Sequence, residues 1–139
     1  MNAPLDSHPS CELVIAIQLY FDLMYDCDTT KFDQVLVPTA QLHGFRNGKM
    51  TCWNVKLYRE TLSDRQSSRS LEALREEHIL LIDVASPDQA VVKVRVRINE
   101  MVYTDYLTYH KTDGRWIVTS KGYHLKMMAL QSDSIGYSK

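Results

Sequence analysis

The chain has 139 residues and a formal net charge of −1, from sixteen Lys and Arg against seventeen Asp and Glu. This length fits one domain, and 45% hydrophobic with 24% charged residues is typical of a globular protein that buries a core. A protein that follows a phosphate backbone usually carries a basic excess, which is lacking here, so we expect no nucleic-acid partner.

Cysteine and histidine usage excludes two further classes of site. Cys11, Cys27 and Cys52 are odd in number and form no C-x-x-C pair, so neither a disulfide framework nor a zinc site is predicted. No histidines have the H-E-x-x-H spacing, and we expect no metal and no cofactor. The apolar run 13–21 follows no Lys or Arg and is too short to cross a bilayer, so we expect a soluble, cytoplasmic protein without a membrane partner.

The first predicted element is a helix that follows a disordered lead-in at residues 1–9. Ser10 is a suitable N-cap, and the acidic Glu12 suits the first turn of a helix. Apolar residues then recur at helical spacing, which predicts a helix lying in a deep trough. They are Leu13, Ile17, Tyr20 and Met24.

Two more helices and a hairpin are predicted before residue 65. Residues 30–33 resemble a capping box, which favours a second helix that ends before Pro38. Asn47-Gly48 readily takes the positive φ angles of a tight turn, so strands 41–46 and 49–53 should form a hairpin. Asn54 can cap a third helix.

From His78 onward the apolar residues follow a period of two. Ala90, Val92, Val94, Val96 and Ile98 alternate with Val91 and charged residues, which predicts a long strand with one apolar face. Turn signals at 87–88, 99–100 and 112–114 divide this region into a four-stranded antiparallel meander. Helices followed by a sheet indicate an α+β domain at residues 10–126, with a C-terminal tail at 127–139.

Three motifs in these elements resemble the putative lumazine-binding family of the nuclear-transport-factor-2-like (SnoaL-like) superfamily. They are Tyr20-Phe21-Asp22, Asp105-Tyr106-Leu107-Thr108, and Asp113 to Val118 followed by Lys121. The resemblance spans residues 12–126. It implies a cone-shaped fold, with three N-terminal helices on a strongly curved antiparallel sheet, a pteridine-like ligand, and a homodimer formed through the outer face of the sheet. This fold carries isomerases, dehydratases and pure binding domains, so fold alone does not decide the function.

Asp105 is the least expected residue in the sheet. If Asn99-Glu100 is a two-residue turn, Asp105 pairs with Val94 and lies on the same face as the valine row. Burying an unpaired carboxylate on that face is costly, so Asp105 needs a partner or a function. The residue is therefore a candidate general acid or base, or an anchor for a ligand.

The turn at 112–114 decides between these roles for Asp105. A three-residue loop would place Lys121 opposite Asp105, where the ammonium favours the ionised carboxylate and weakens it as a base. A two-residue loop would shift the register by one residue. Trp116, Ser120 and His124 would then turn inward, and Lys121 would turn away.

A cavity lined by aromatic side chains with a few polar tips is typical of small-molecule sites. The predicted lining is Tyr20, Met24, Trp53, Tyr58, Tyr103 and Asp105. Lys121 and His43, the latter at the cavity mouth, are the other candidate catalytic residues.

Three functions remain open from the sequence. The first is a dimeric domain that binds a small organic ligand in a hydrophobic cavity. The second is a cofactor-free isomerase or dehydratase that uses Asp105 as acid or base. The third is an interaction module whose cavity is filled by its own side chains. An ion pair between Asp105 and Lys121 would favour binding or structure over catalysis.

Overall fold

The helices precede and follow one hairpin along the chain. In the computed structural model, which describes residues 9–128, helix α1 spans Pro9–Asp26 and a 3-10 helix spans Thr29–Lys31. Helix α2 is Phe32–Val35, and α3 is Val55–Asp64. The lead-in predicted for 1–9 lies outside the described residues, except that Pro9 already begins α1.

Local hydrogen bonds explain where two of the helices start. The Asn54 side chain accepts from the backbone N–H of Leu57 at 2.8 Å, so the predicted cap of α3 is confirmed. The 3-10 helix is capped by Asp28, whose side chain accepts from Thr30 N–H at 3.1 Å. The capping residue of this region is therefore Asp28 and not Thr30.

Six strands form one sheet. They are β1 (Leu36–Arg46), β2 (Lys49–Asn54), β3 (Glu77–Ser86), β4 (Gln89–Ile98), β5 (Met101–Thr112) and β6 (Arg115–Met128). Their order across the sheet is β2-β1-β6-β5-β4-β3. The protein is thus an α+β domain, as predicted.

The prediction of a wholly antiparallel sheet is wrong at one place. Strands β1 and β6 pair in parallel, and the other neighbours are antiparallel, so the sheet is mixed. The hairpin and the meander are each formed by strands adjacent in sequence, whereas β1 and β6 are far apart along the chain. The strong curvature of the predicted cone is not confirmed.

The core lies between the helices and one face of the sheet. Alternate residues of β4 from Ala90 to Ile98 are buried there, which confirms the predicted apolar row. Leu13, Ile17, Tyr20 and Met24 of α1 are fully buried against it. The turn at Asn99-Glu100 has two residues, and it pairs Val94 with Asp105 as predicted.

The β5–β6 hairpin combines both registers considered above. Its turn has two residues, Asp113 and Gly114, so Trp116 and Val118 point inward and are buried. A β-bulge at Thr119 then inserts one extra residue, because Tyr109 pairs with Val118 but Thr108 pairs with Ser120. The bulge turns Lys121 back to the inner face. Strand β6 continues to Met128, two residues beyond the predicted domain end, and 129–139 lie outside the described residues.

Candidate ligand cavity

A cavity of about 380 Å³ opens between α3, the β1–β2 hairpin and the inner face of the sheet. Its lining combines aromatic, aliphatic and charged side chains. The aromatic residues are Phe45, Trp53, Tyr58, Tyr103 and Tyr123; the aliphatic ones include Leu42, Ile98, Met101 and Leu125; the charged ones are Arg46, Arg65, Asp105 and Lys121. The volume lies in the range of small-molecule sites in proteins.

Strand β5 places Asp105 at the cavity, between Val94 of β4 and Tyr123 of β6. The residue is 1% exposed. Its Oδ2 accepts a hydrogen bond from the Tyr20 hydroxyl. Its Oδ1 is buried and has no hydrogen-bond partner among the described residues. One carboxylate oxygen is therefore engaged by the protein, and the other is left for a donor that the described chain does not supply.

Lys121 approaches Asp105 diagonally, from the position opposite Leu107. Its Nζ lies 3.7 Å from Asp105 Oδ2 and donates to the Tyr58 hydroxyl at 2.9 Å. The ammonium also lies 4.8 Å from the centre of the Tyr58 ring and 5.1 Å from that of Tyr20. Burial is the largest single effect and lowers the pKa of Lys121, but the Asp105 carboxylate and the Tyr58 hydroxyl together raise it by more, so the amine is held in its charged form.

The Tyr20 hydroxyl acts as a donor to this pair. Burial raises the pKa of Tyr20 well above its ordinary value, and the negative charge of Asp105 raises it further. The phenol therefore keeps its proton and donates a hydrogen bond to Asp105 Oδ2. Together the three groups form a buried network in which the ionised carboxylate is stabilised.

The structure separates the predicted lining into two layers. Trp53, Tyr58, Tyr103 and Asp105 line the cavity, together with Lys121. Tyr20 and Met24 are fully buried behind them and are not part of the cavity wall. The Met24 sulfur lies 3.3 Å from the Tyr58 hydroxyl and 3.8 Å from Lys121 Nζ, so it supports the wall from behind.

His43 does not lie at the cavity mouth. Side chains alternate between the two faces of β1, and Leu42 points into the cavity. The exposed His43 therefore lies on the outer face of the sheet, away from Asp105. The hairpin pattern predicts the strand of His43 but not the face toward which its side chain points.

Several residues that line the cavity were not predicted from the sequence, among them Arg46, Arg65 and Tyr123. Arg65 directly follows α3, within the polar stretch 63–70. Its spacing from the buried Tyr58 and Leu62 places it on the same face of the helix, and that pattern is the signal that could have revealed it. Tyr123 faces the cavity only because of the bulge at Thr119, and no pattern in the sequence indicates that bulge.

Arg65 carries an uncompensated buried charge. Its Nε and Nη2 are buried without a hydrogen-bond partner among the described residues. Burial lowers the pKa of the guanidinium, but the neighbouring Tyr58 and Cys27 raise it by more. The group therefore remains a cation beside the cavity.

Residues 12–124 match the model of a family described as putative lumazine-binding. The chain belongs to this putative lumazine-binding family. The match covers most of the chain, including every described residue that lines the cavity except Leu125. No curated protein matches the chain.

Solved structures similar to this member of the putative lumazine-binding family share its fold. An NTF-2 like protein of unknown function from Silicibacter pomeroyi has a TM-score of 0.78 at 20% identity, covering 88% of this chain and 100% of its own. One from Shewanella baltica has 0.77 at 19%, covering 91% and 99%. A ketosteroid isomerase-like protein from Erwinia carotovora has 0.67 at 12%, covering 86% and 98%. These likenesses show that the chain has the NTF2-like fold.

Residues 9–128 contain neither a membrane-spanning helix nor a cluster of metal-binding side chains. No helix within residues 9–128 is long and apolar enough to span a membrane. No group of three or more His, Cys, Asp or Glu side chains in that range is arranged to hold a metal ion.

Proposed function

We propose that the protein is a binding domain for a small organic ligand with a flat apolar body. The observation that carries this proposal is the cavity of about 380 Å³, whose walls are aromatic and aliphatic and whose floor holds the paired charges of Asp105 and Lys121. Apolar walls with a few fixed polar groups suit a ligand that is held by burial and oriented by hydrogen bonds. An interaction module with a filled cavity is disfavoured by the same open volume.

The surroundings of Asp105 favour an anchoring role over proton abstraction. A general base must present a free oxygen to the proton that it removes. Here the Tyr20 hydroxyl already donates to Asp105 Oδ2, and the Lys121 ammonium lies 3.7 Å from the same oxygen, so the protein itself engages this oxygen. The second candidate, an isomerase or dehydratase that uses Asp105, draws its support from the unpartnered Oδ1.

Ligand binding can be observed directly through the two tryptophans. Trp53 lines the cavity, and Trp116 lines a separate, smaller cavity of about 280 Å³ beside α1. In protein labelled with fluorotryptophan, the two fluorine NMR signals are assigned with Trp53→Phe. Lumazine, named by the family description, is the first probe, followed by other flat heteroaromatic compounds. We expect a bound probe to shift the Trp53 signal and leave the Trp116 signal in place.

The same samples separate the two candidate functions. If a compound that binds at Trp53 is recovered unchanged after long incubation, the binding function is supported. Conversion of the compound, abolished by Asp105→Asn, would support the enzyme instead. If no compound moves the Trp53 signal, the proposal of a ligand-binding cavity fails.

We also propose that two copies associate through the outer face of the sheet. Leu81, Val91 and Tyr106 lie on this face, opposite the buried valine row, and are 40–55% exposed. Exposed apolar side chains grouped on one face favour a protein contact. Light scattering should give the mass of a dimer, and Tyr106→Glu should give a monomer. A monomeric wild-type protein would contradict this proposal.

A further inference from the structure

The cavity is lined by more positive than negative charge. Arg46, Arg65 and Lys121 line it, and Asp105 is its one acidic residue among those described. The Asp105 and Lys121 charges offset each other across 3.7 Å. Neither arginine has a carboxylate within 4 Å in the described part of the chain. Two cationic groups therefore face the cavity without a counter-charge.

Arg65 is the stronger of the two as a binding group. Its unpartnered nitrogens, Nε and Nη2, are neighbours on one edge of the planar guanidinium. That edge binds a carboxylate, phosphate or sulfonate through two parallel hydrogen bonds. Buried donors without acceptors are unfavourable, so an acceptor that reaches this edge would stabilise the site.

Arg46 supplies the second cation at the mouth of the cavity. Its guanidinium lies 5.4 Å from the centre of the Trp53 ring. Stacking on the ring leaves the N–H edge of this group free to bind an acceptor. Tyr103 also lines the cavity; burial raises its pKa, and the nearby charges of Arg46 and Arg65 lower it by less.

Other ligand charges fit this arrangement less well. An amine could bind to the free Oδ1 of Asp105, but Arg46 and Arg65 would repel it at close range in a partly desolvated site. A neutral ligand could occupy the apolar walls, but it would leave the Arg65 donors without a charged acceptor. An anionic ligand is the one class that neutralises both arginines.

We propose that the ligand is an amphipathic organic anion, with its negative group bound by Arg65 and Arg46 and its flat apolar body against Trp53 and Ile98. This inference rests on the proposed ligand-binding function and specifies the charge of the ligand. The shared chemistry is an anionic oxygen group on an aromatic or aliphatic ring, and either a carboxylate or a phosphate meets it.

Two fluorescent probes with the same ring system test the charge. Anilinonaphthalene sulfonate is an anion, and N-phenylnaphthylamine is its uncharged parent. We expect the wild-type protein to bind the anion roughly tenfold more tightly, an effect of the order of one charge-assisted hydrogen bond. Raising the ionic strength should reduce this preference, because the arginine at the cavity mouth is accessible to salt.

Variants assign the preference to the cavity. Arg65→Met keeps an unbranched apolar stem and removes the charge, and it should bring the two affinities close together. Arg46→Met should reduce the preference in part. Arg59→Met is the matched control, because Arg59 is bound to Asp33 and does not line the cavity. Each probe is also titrated into fluorotryptophan-labelled protein, where the Trp53 signal reports its location.

The outcomes distinguish the two proposals. If both probes shift the Trp53 signal with equal affinity, the cavity binds small molecules and the anion inference is wrong. If the preference exists but survives in both Arg65→Met and Arg46→Met, the inference is equally overturned. If neither probe moves the Trp53 signal, the proposed function itself fails. Loss of the preference in Arg65→Met, or in Arg46→Met should the first variant not fold, supports the inference.

Discussion

Tyr20 and Tyr109 show that the surroundings of a buried hydroxyl decide whether it stabilises or destabilises the fold. Both side chains are at most 1% exposed. The Tyr20 hydroxyl donates to the Asp105 carboxylate, whereas the Tyr109 hydroxyl is buried without a hydrogen-bond partner in the described part of the chain. A hydrogen bond to a charged group is stabilising, and an unpartnered buried hydroxyl is destabilising. The same substitution should therefore have opposite effects at the two positions.

We expect Tyr109→Phe to raise the free energy of unfolding by about 1 kcal/mol, because it removes an unsatisfied polar atom. Tyr20→Phe should lower it by about 1.5–3 kcal/mol, because it removes a bond to a carboxylate. Urea titration of both variants against the wild-type protein measures the two changes. A loss of stability in both variants would indicate that the Tyr109 hydroxyl has a partner, such as an internal water.

The Asp105–Lys121 pair should show strong coupling. Each residue is at most 5% exposed, so removing one partner leaves the other charge buried and unpaired. Asp105→Asn and Lys121→Met should each lower the free energy of unfolding by about 3–5 kcal/mol. The double variant should lose much less than the sum of the two single losses. Additive losses would show that the two charges do not interact in the folded protein.

At the scale of single elements, the β5–β6 hairpin shows where sequence reasoning stops. The turn at Asn99-Glu100 fixed the register of β5, and from it the inward direction of Asp105 followed. The same argument for β6 requires the bulge at Thr119, which is an extra residue with no distinctive sequence. The inward side of β6 is Trp116 and Val118 before the bulge, and Lys121 and Tyr123 after it. Because Lys121 is charged, the sequence does not indicate that it lies on the inner face, and the shift in the inward-facing positions is not visible from the apolar pattern.

Strands β1 and β6 meet closely at Gly44. Gly44 pairs with Tyr123, and a Cβ built at Gly44 would lie 2.5 Å from the Tyr123 ring, which real contacts do not allow. The Tyr123 hydroxyl is bonded to Thr51, so the ring is held in place from its far end. Glycine is therefore required for the ring to lie flat across β1 at the cavity wall.

We expect Gly44→Ala to cost about 1–3 kcal/mol of stability, because the ring must be displaced. Displacement should also weaken binding of any probe in the cavity, which Tyr123 lines. Gly122→Ala is the control, since its added Cβ would meet only ordinary contacts at 3.9 Å or more. Urea titration and probe titration of both variants measure the two effects. Equal behaviour of the two alanine variants would contradict the close approach at Gly44.

At the scale of the whole molecule, local pairing was predictable and distant pairing was not. The meander and the hairpin join strands that are neighbours in sequence, so turn signals at Asn47-Gly48 and Asn99-Glu100 were sufficient to predict them. The alternation of apolar and polar residues shows which face of a strand is buried, but not which strands are neighbours. The parallel pairing of β1 with β6 therefore could not be predicted from it. This contact forms part of the cavity wall, because Leu42 of β1 and Tyr123 of β6 both line the cavity.

Two buried groups predict how the stability of the domain depends on pH. The pKa values of Tyr20 and Lys121 are raised above their ordinary values of 10.0 and 10.5. The folded state then keeps protons that the unfolded state loses, so the stabilisation is complete below about pH 10 and is lost as pH rises further. We expect urea midpoints to fall above pH 10. The fall should be shallower in the Tyr20→Phe/Lys121→Met double variant, and an unchanged slope there would contradict the assignment.

Strand β3 lies at one end of the sheet and has apolar side chains, including Ile79, Leu81 and Val84, that are 39–55% exposed. A flat apolar edge strand is a template on which a second chain can add strands and start aggregation. The pairing of β3 is irregular at two points, between Ile79 and Leu81 and between Val84 and Ser86. Such irregularities break the even row of backbone groups that an incoming strand needs. The uneven edge of β3 therefore protects the protein from polymerising strand by strand.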